Sequence, residues 1–148
     1  MKKYILMTAL LVQAGSATMA TTAEQIFEKG LESSAHQGIE VRKGTIKALI
    51  ENALYLDAHL KDGDSDPQVF SCINDIRDSI IGLNAVGVFD TFLAPDWFHD
   101  EDKPGNIMAG VLYLQQFPQE MTREIKEKLA HLSHSVAPLL RAEITKLL

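Results

Sequence analysis

The sequence predicts an all-α fold: a compact bundle of about five to six helices behind an N-terminal signal segment. Three observations carry this expectation. Apolar residues recur at spacings of three and four along most of the chain. Small polar residues or prolines open most of these runs, and glycine or proline closes them. No convincing alternating strand pattern appears. The 148 residues are 46% hydrophobic and 23% charged, which excludes a disordered chain and suffices for one sizeable core.

The first twenty residues stand apart. Lys2 and Lys3 give a basic start, Tyr4 to Val12 form an apolar run, and small uncharged residues follow. This is the order of a secretory signal peptide, with cleavage expected after Ala20 (Thr18 at −3) or Ala17 (Gly15 at −3). The apolar run is too short to span a bilayer, so a cleaved product keeps no stable membrane anchor. Residues 21–148 are then a single helical domain in the periplasm or outside the cell. The alternative is an uncleaved cytosolic helical interaction protein.

In the expected mature chain, Thr21 and Glu24 have capping-box spacing, and Ala23, Ile26, Phe27, Gly30 and Leu31 share one helical face that ends near Gly38. A second helix starts at about Ile39 or Thr45 and runs to Leu60. Its stripe of Ile46, Leu49, Ile50, Ala53 and Leu60 is widened by Leu54 and Leu56, so it reads as central and well buried. A third starts after Asp66 and carries Val69, Ile73, Ile76, Ile80 and Leu83. Residues 88–103 read as a short helix and a loop. Pro104 opens a helix to about Phe117 and Pro118 closes it. Met121, Ile125, Leu129, Leu132, Val136, Leu139, Leu140, Ile144 and Leu147 form the last stripe, which Pro138 must kink or restart with Ser135 as cap.

Charge is uneven. Residues 51–102 hold twelve of the twenty acids and only Lys61 and Arg77 as bases. Removing residues 1–20 takes away two lysines and no acid, moving the net charge from −6 to −8. Such a chain is not suited to nucleic acid and is suited to a basic protein surface or a cation. Cys72, the sole cysteine, can form no internal disulfide and reads as a buried thiol.

Asp62, Asp64 and Asp66 alternate like the first half of a calcium loop. Counted from Asp62, however, Pro67 stands where the loop needs glycine and Ile73 where it needs glutamate. Gly63 as a helix stop, Ser65 and Asp66 as caps, Pro67 in the first turn and a Ser65–Gln68 capping box explain the segment without a metal. In the segment Asp96 to Asp102, Asp96, His99 and Asp100 would share a helical face. No second histidine or cysteine is near enough in sequence for zinc. Aromatics among acids suit protein contact better. Glu124, Glu127, His131 and His134 read as a solvated flank. No Glu-x-x-His, Gly-x-Ser-x-Gly or phosphate-cradling loop occurs. No catalytic constellation, metal site or cofactor is therefore expected.

Lys103 to Glu120 resembles a segment of the periplasmic type VI secretion immunity family, specifically its amidase-effector immunity proteins. There a proline-and-glycine start leads into a helix ending Tyr-Leu-x-x-(aromatic or His)-Pro, matched here by Tyr113, Leu114, Phe117 and Pro118. Phe70 to Gly82 is similar to the family's cysteine-containing helix, and Phe92 to Pro95 to its Phe-Cys-x-Pro. The chain departs from the family where Gly30 and Leu93 replace disulfide cysteines. The resemblance implies a helical periplasmic protein that binds and blocks a cell-wall-degrading effector.

The sequence thus leads to a non-enzymatic binding protein whose contact surface is expected at Asp96, Trp97, Phe98, His99, Asp100 and Asp102, aided by Asp62 and Asp64. A homodimer is left open. The alternative is a bundle carrying a small molecule, a metal or haem beside His131 or His134.

Overall fold

A computed structural model of the protein describes residues 33–36, 38–42, 44–91 and 97–148. The expected signal segment, the Thr21–Glu24 capping box and the Phe92 to Pro95 match lie outside them. The fold is all-α in character, with six α-helices among the described residues.

One local expectation is corrected. Where a helix was expected to end, Ser33–His36 (β1) and Ile39–Arg42 (β2) form an antiparallel hairpin, with Ser33 opposite Arg42 and His36 opposite Ile39. Gly38 turns it at φ 80°, a conformation that costs glycine little. The alternation in Ile39-Glu40-Val41-Arg42 is a strand signal only four residues long. Val41 is buried, and β2 lies against the helix over Pro67–Ala85. Helix α1, Thr45–His59, follows Gly44 at φ 87°. Of its two expected starts, Thr45 is the observed one.

A 3₁₀ turn over Leu60–Ser65 breaks at Gly63, where φ is 51° and ψ −123°. Helix α2, Pro67–Ala85, then begins with Asp66 as its cap: the carboxylate accepts from Gln68 N at 3.0 Å, a contact worth about 1 kcal/mol. Ser65 does not share the capping; its hydroxyl donates back to Asp62 O at 2.6 Å. Val69, Cys72, Ile73, Ile76, Ile80 and Leu83 face inward from α2, the three-and-four spacing the sequence predicts. Burial pushes the Cys72 thiol up. The short helix α3, Val88–Thr91, brings Phe89 into the core.

The central helix is α4, Pro104–Gln116, and not α1 as the wide stripe suggested. Ile107, Met108 and Val111 to Leu114 are all buried, the all-round apolar pattern of an interior helix. Its glycines let neighbours in. A Cβ at Gly105 would collide with the Ala53 carbonyl, and one at Gly110 would stand 2.8 Å from the rings of Trp97 and Phe98. Helix α1 buries only Ala53 and Leu56.

After a 3₁₀ turn over Pro118–Glu120, Thr122 caps α5, Arg123–Leu132, by accepting from Ile125 N at 3.2 Å. Pro138 starts a separate helix, α6, Pro138–Thr145, instead of kinking one. Ser135 is not its cap: Ala137 holds that place, and the Ser135 hydroxyl donates to Leu132 O at the end of α5. Leu129, Leu132, Leu140 and Ile144 join the residues of α1, α2 and α4 in one apolar core.

Candidate functional site

The expected contact residues come from two distant stretches, and one hydrogen bond explains how they share an end of the molecule. Asp57, in the last turn of α1, accepts from Gly105 N at 2.8 Å. It thereby satisfies one of the unpaired amides at the start of α4. The start of α4 is thus pinned beside the end of α1. The Leu60–Ser65 turn follows that end directly, and residues 99–103 lead into Pro104. Both acidic turns therefore lie at one pole of the bundle. Residues 57–66 and 99–103 carry seven acids against Lys61 and Lys103.

Each turn is held internally. Tyr55 stacks on His59 with ring centroids 4.3 Å apart and donates to Asp66 Oδ2 at 2.8 Å. The hydrogen bond to Asp66, followed by desolvation, pushes the phenol up. His59 Nδ1 stands 3.5 Å from Asp62 Oδ2 and 3.8 Å from Asp66 Oδ2. On the other side, Asp100 Oδ1 accepts from Asp102 N at 3.1 Å, while its Oδ2 is 3.3 Å from Lys103 Nζ. This Asx turn presents Asp100 and Asp102 to solvent. Lys128 donates to Glu101 at 2.8 Å, ties the turn to α5 and holds the Glu101 carboxyl below its ordinary range.

The expected aromatic contacts are corrected. Phe98 is only 2% exposed and packs into the core beneath Gly110. Trp97 is half-buried, its ring edge-on to Phe89 at 5.2 Å and Tyr113 at 5.6 Å. Both rings anchor the 97–103 loop, and the solvent-facing residues are Asp62, His99, Asp100 and Asp102. Asp64 belongs to the 3₁₀ turn, and Asp96 lies outside the described residues.

No protein-family model, curated protein or solved structure matches this chain. What it does must be argued from its own surface.

The flank of Glu124, Glu127, His131 and His134 is exposed throughout. Leu129 and Leu132, not the histidines, face the interior there. Among the described residues, no three His, Cys, Asp or Glu side chains are grouped to hold a metal, and no helix is long and apolar enough to cross a membrane. Ile73, at the closing position of a calcium loop, is buried in the core.

Two features lay beyond the sequence reading. Glu143 on α6 accepts from Gln115 at 2.8 Å and Lys146 at 2.6 Å, with Arg77 at 3.6 Å. Burial opposes its ionisation, yet these partners together hold the carboxyl below its usual range. The second is an apolar groove of about 400 Å³ between α1, α3, Trp97 and α4. Ile46, Ile50 and Leu54 edge it at 44%, 54% and 62% exposure. The signal for the groove was the excess width of the α1 stripe.

Proposed function

We propose that this chain is an exported, non-enzymatic binding protein whose acidic pole meets a basic protein surface. We propose further that it acts as an immunity or inhibitor protein, occluding a cell-wall-degrading effector in the periplasm. The observation that carries the reading is the convergence of the two acidic turns at one pole, where Asp62, Asp100 and Asp102 face solvent on a rigid support. A single-sign patch raises the rate of encounter with an oppositely charged partner and disfavours like-charged ones. The signal-like N-terminus and the resemblance over Lys103 to Glu120 support the address and the class of partner.

The test is capture of a partner from whole-cell extract on the mature protein, followed by affinity measurement with the Asp62→Lys/Asp100→Lys/Asp102→Lys variant. Each lost charge pair is expected to cost about 1 kcal/mol, or roughly thirtyfold in affinity for two such pairs, and the loss should shrink at high salt. A triple variant that binds as tightly as wild type contradicts the proposal. So does a mature protein whose first residue, by mass spectrometry, is Met1.

A further inference from the structure

The apolar groove runs into the acidic pole, and one residue of α1 belongs to both. Ile46, Ile50 and Leu54 form a ridge along the groove, spanning about 12 Å at the α-helical rise. Asp57 continues that ridge, because the eleven residues from Ile46 complete about three full turns. Its half-buried carboxylate accepts from Gly105 N at 2.8 Å and ties α1 to α4 at that end of the groove. Asn106, next to Gly105, lines the groove from the α4 side. Trp97 lines it too, and the loop that Trp97 anchors leads directly to Asp100 and Asp102.

The chemistry of this surface changes along its length. Asn106 apart, the described lining is aliphatic or aromatic. On the exposed flank of α1, Lys47 and Glu51 pair at 2.8 Å and cancel. Net charge is therefore gathered at the pole end. Three half-exposed side chains fall well short of the roughly 800 Å² that each partner gives to a specific interface. Groove and pole together make a larger footprint, apolar along one side and charged at its rim, as protein contacts are built. A ridge of every fourth residue packs against a helix whose own apolar residues recur at three and four.

We infer that the groove receives an amphipathic helix of the basic protein partner. Its apolar face lies on Ile46, Ile50 and Leu54, and its lysines or arginines point toward Asp57 and the two acidic turns. The inference rests on the partner reading above and adds the form of the contact.

Trp97 is the sole tryptophan of the chain, so its emission reports occupancy of the groove. The probe is a tryptophan-free helical peptide of alanine, leucine and lysine, titrated into the mature protein. Its leucines stand at i, i+4 and i+7 and its lysines are gathered at one end. It should change Trp97 emission saturably, and a scrambled peptide of the same composition should bind at least about tenfold more weakly. Ile50→Ser/Leu54→Ser, which alters only exposed side chains, should weaken the ordered peptide by a similar factor at any salt. The Asp62→Lys/Asp100→Lys/Asp102→Lys variant should weaken it chiefly at low salt. Equal binding of the scrambled peptide, an arm that needs no variant, would overturn the inference. So would a Trp97 response to an uncharged hydrophobe and none to the peptide, which assigns the groove to a small ligand. Protection of the ridge that rises with protein concentration would assign it to a second copy, with the same consequence. The two readings fail separately. A captured partner that the serine variant holds at full affinity and the lysine variant loses leaves the acidic-pole reading standing and sinks the groove inference alone.

Discussion

Helices α5 and α1 both carry an apolar stripe, yet they use it differently. In α5, Ile125, Leu129 and Leu132 are all buried, while Arg123, Glu124, Lys126 and Glu127 face solvent. The whole apolar set is turned into the core. In α1 the apolar set is wider: Ala53 and Leu56 turn into the core, and Ile46, Ile50 and Leu54 turn away from it. The width of a helix's apolar face therefore reports how many neighbours it has. On that measure α5 is complete, while the outer ridge of α1 stays open to solvent.

Three substitutions sharpen the contrast. Leu129→Ala removes a fully buried side chain from α5 and should cost about 2–5 kcal/mol in urea unfolding. Ile50→Ala removes a side chain that is 54% exposed and should cost no more than about 0.5 kcal/mol. A loss close to that of Leu129→Ala would break the contrast. The smallest effect is expected at Glu143. Its carboxyl is held below the usual 4.5 of a glutamate. Its contribution is therefore present above that pH and lost as pH falls through the lower folded value. Unfolding midpoints of wild type and Glu143→Gln should differ at neutral pH and converge in acid. A gap that persists at low pH would assign the effect to packing.

The parts of the fold legible in the sequence are those governed by local chemistry. Pro67, Pro104 and Pro138 each open a helix because the missing amide falls where no partner is needed. Gly63 and Asp66 separate α1 from α2 through one unusual backbone geometry and one cap. The β-hairpin was not legible because four alternating residues are too few to outweigh helical surroundings. The centrality of α4 was hidden because it depends on Gly105 and Gly110 admitting Ala53 and the aromatic rings from elsewhere in the chain.

The site divides in the same way. The acids at positions 62, 100 and 102 are plain in the sequence, but their shared pole depends on a bond between Asp57 and Gly105, 48 residues apart. Trp97 and Phe98 looked like surface contacts because they sit among acids. Their burial is decided by Gly110 and Tyr113 on another helix. The groove showed itself only as an α1 stripe wider than the face that α2 and α4 cover.

The most direct measurement of the central claim is the solvent accessibility of the Ile46, Ile50 and Leu54 methyl groups in the unmodified mature chain. Broadening of their resonances by a soluble paramagnetic agent reads this. Exposed along the groove, they should broaden far more than those of Leu129. Protection equal to that of Leu129 would show a covered ridge and contradict the account.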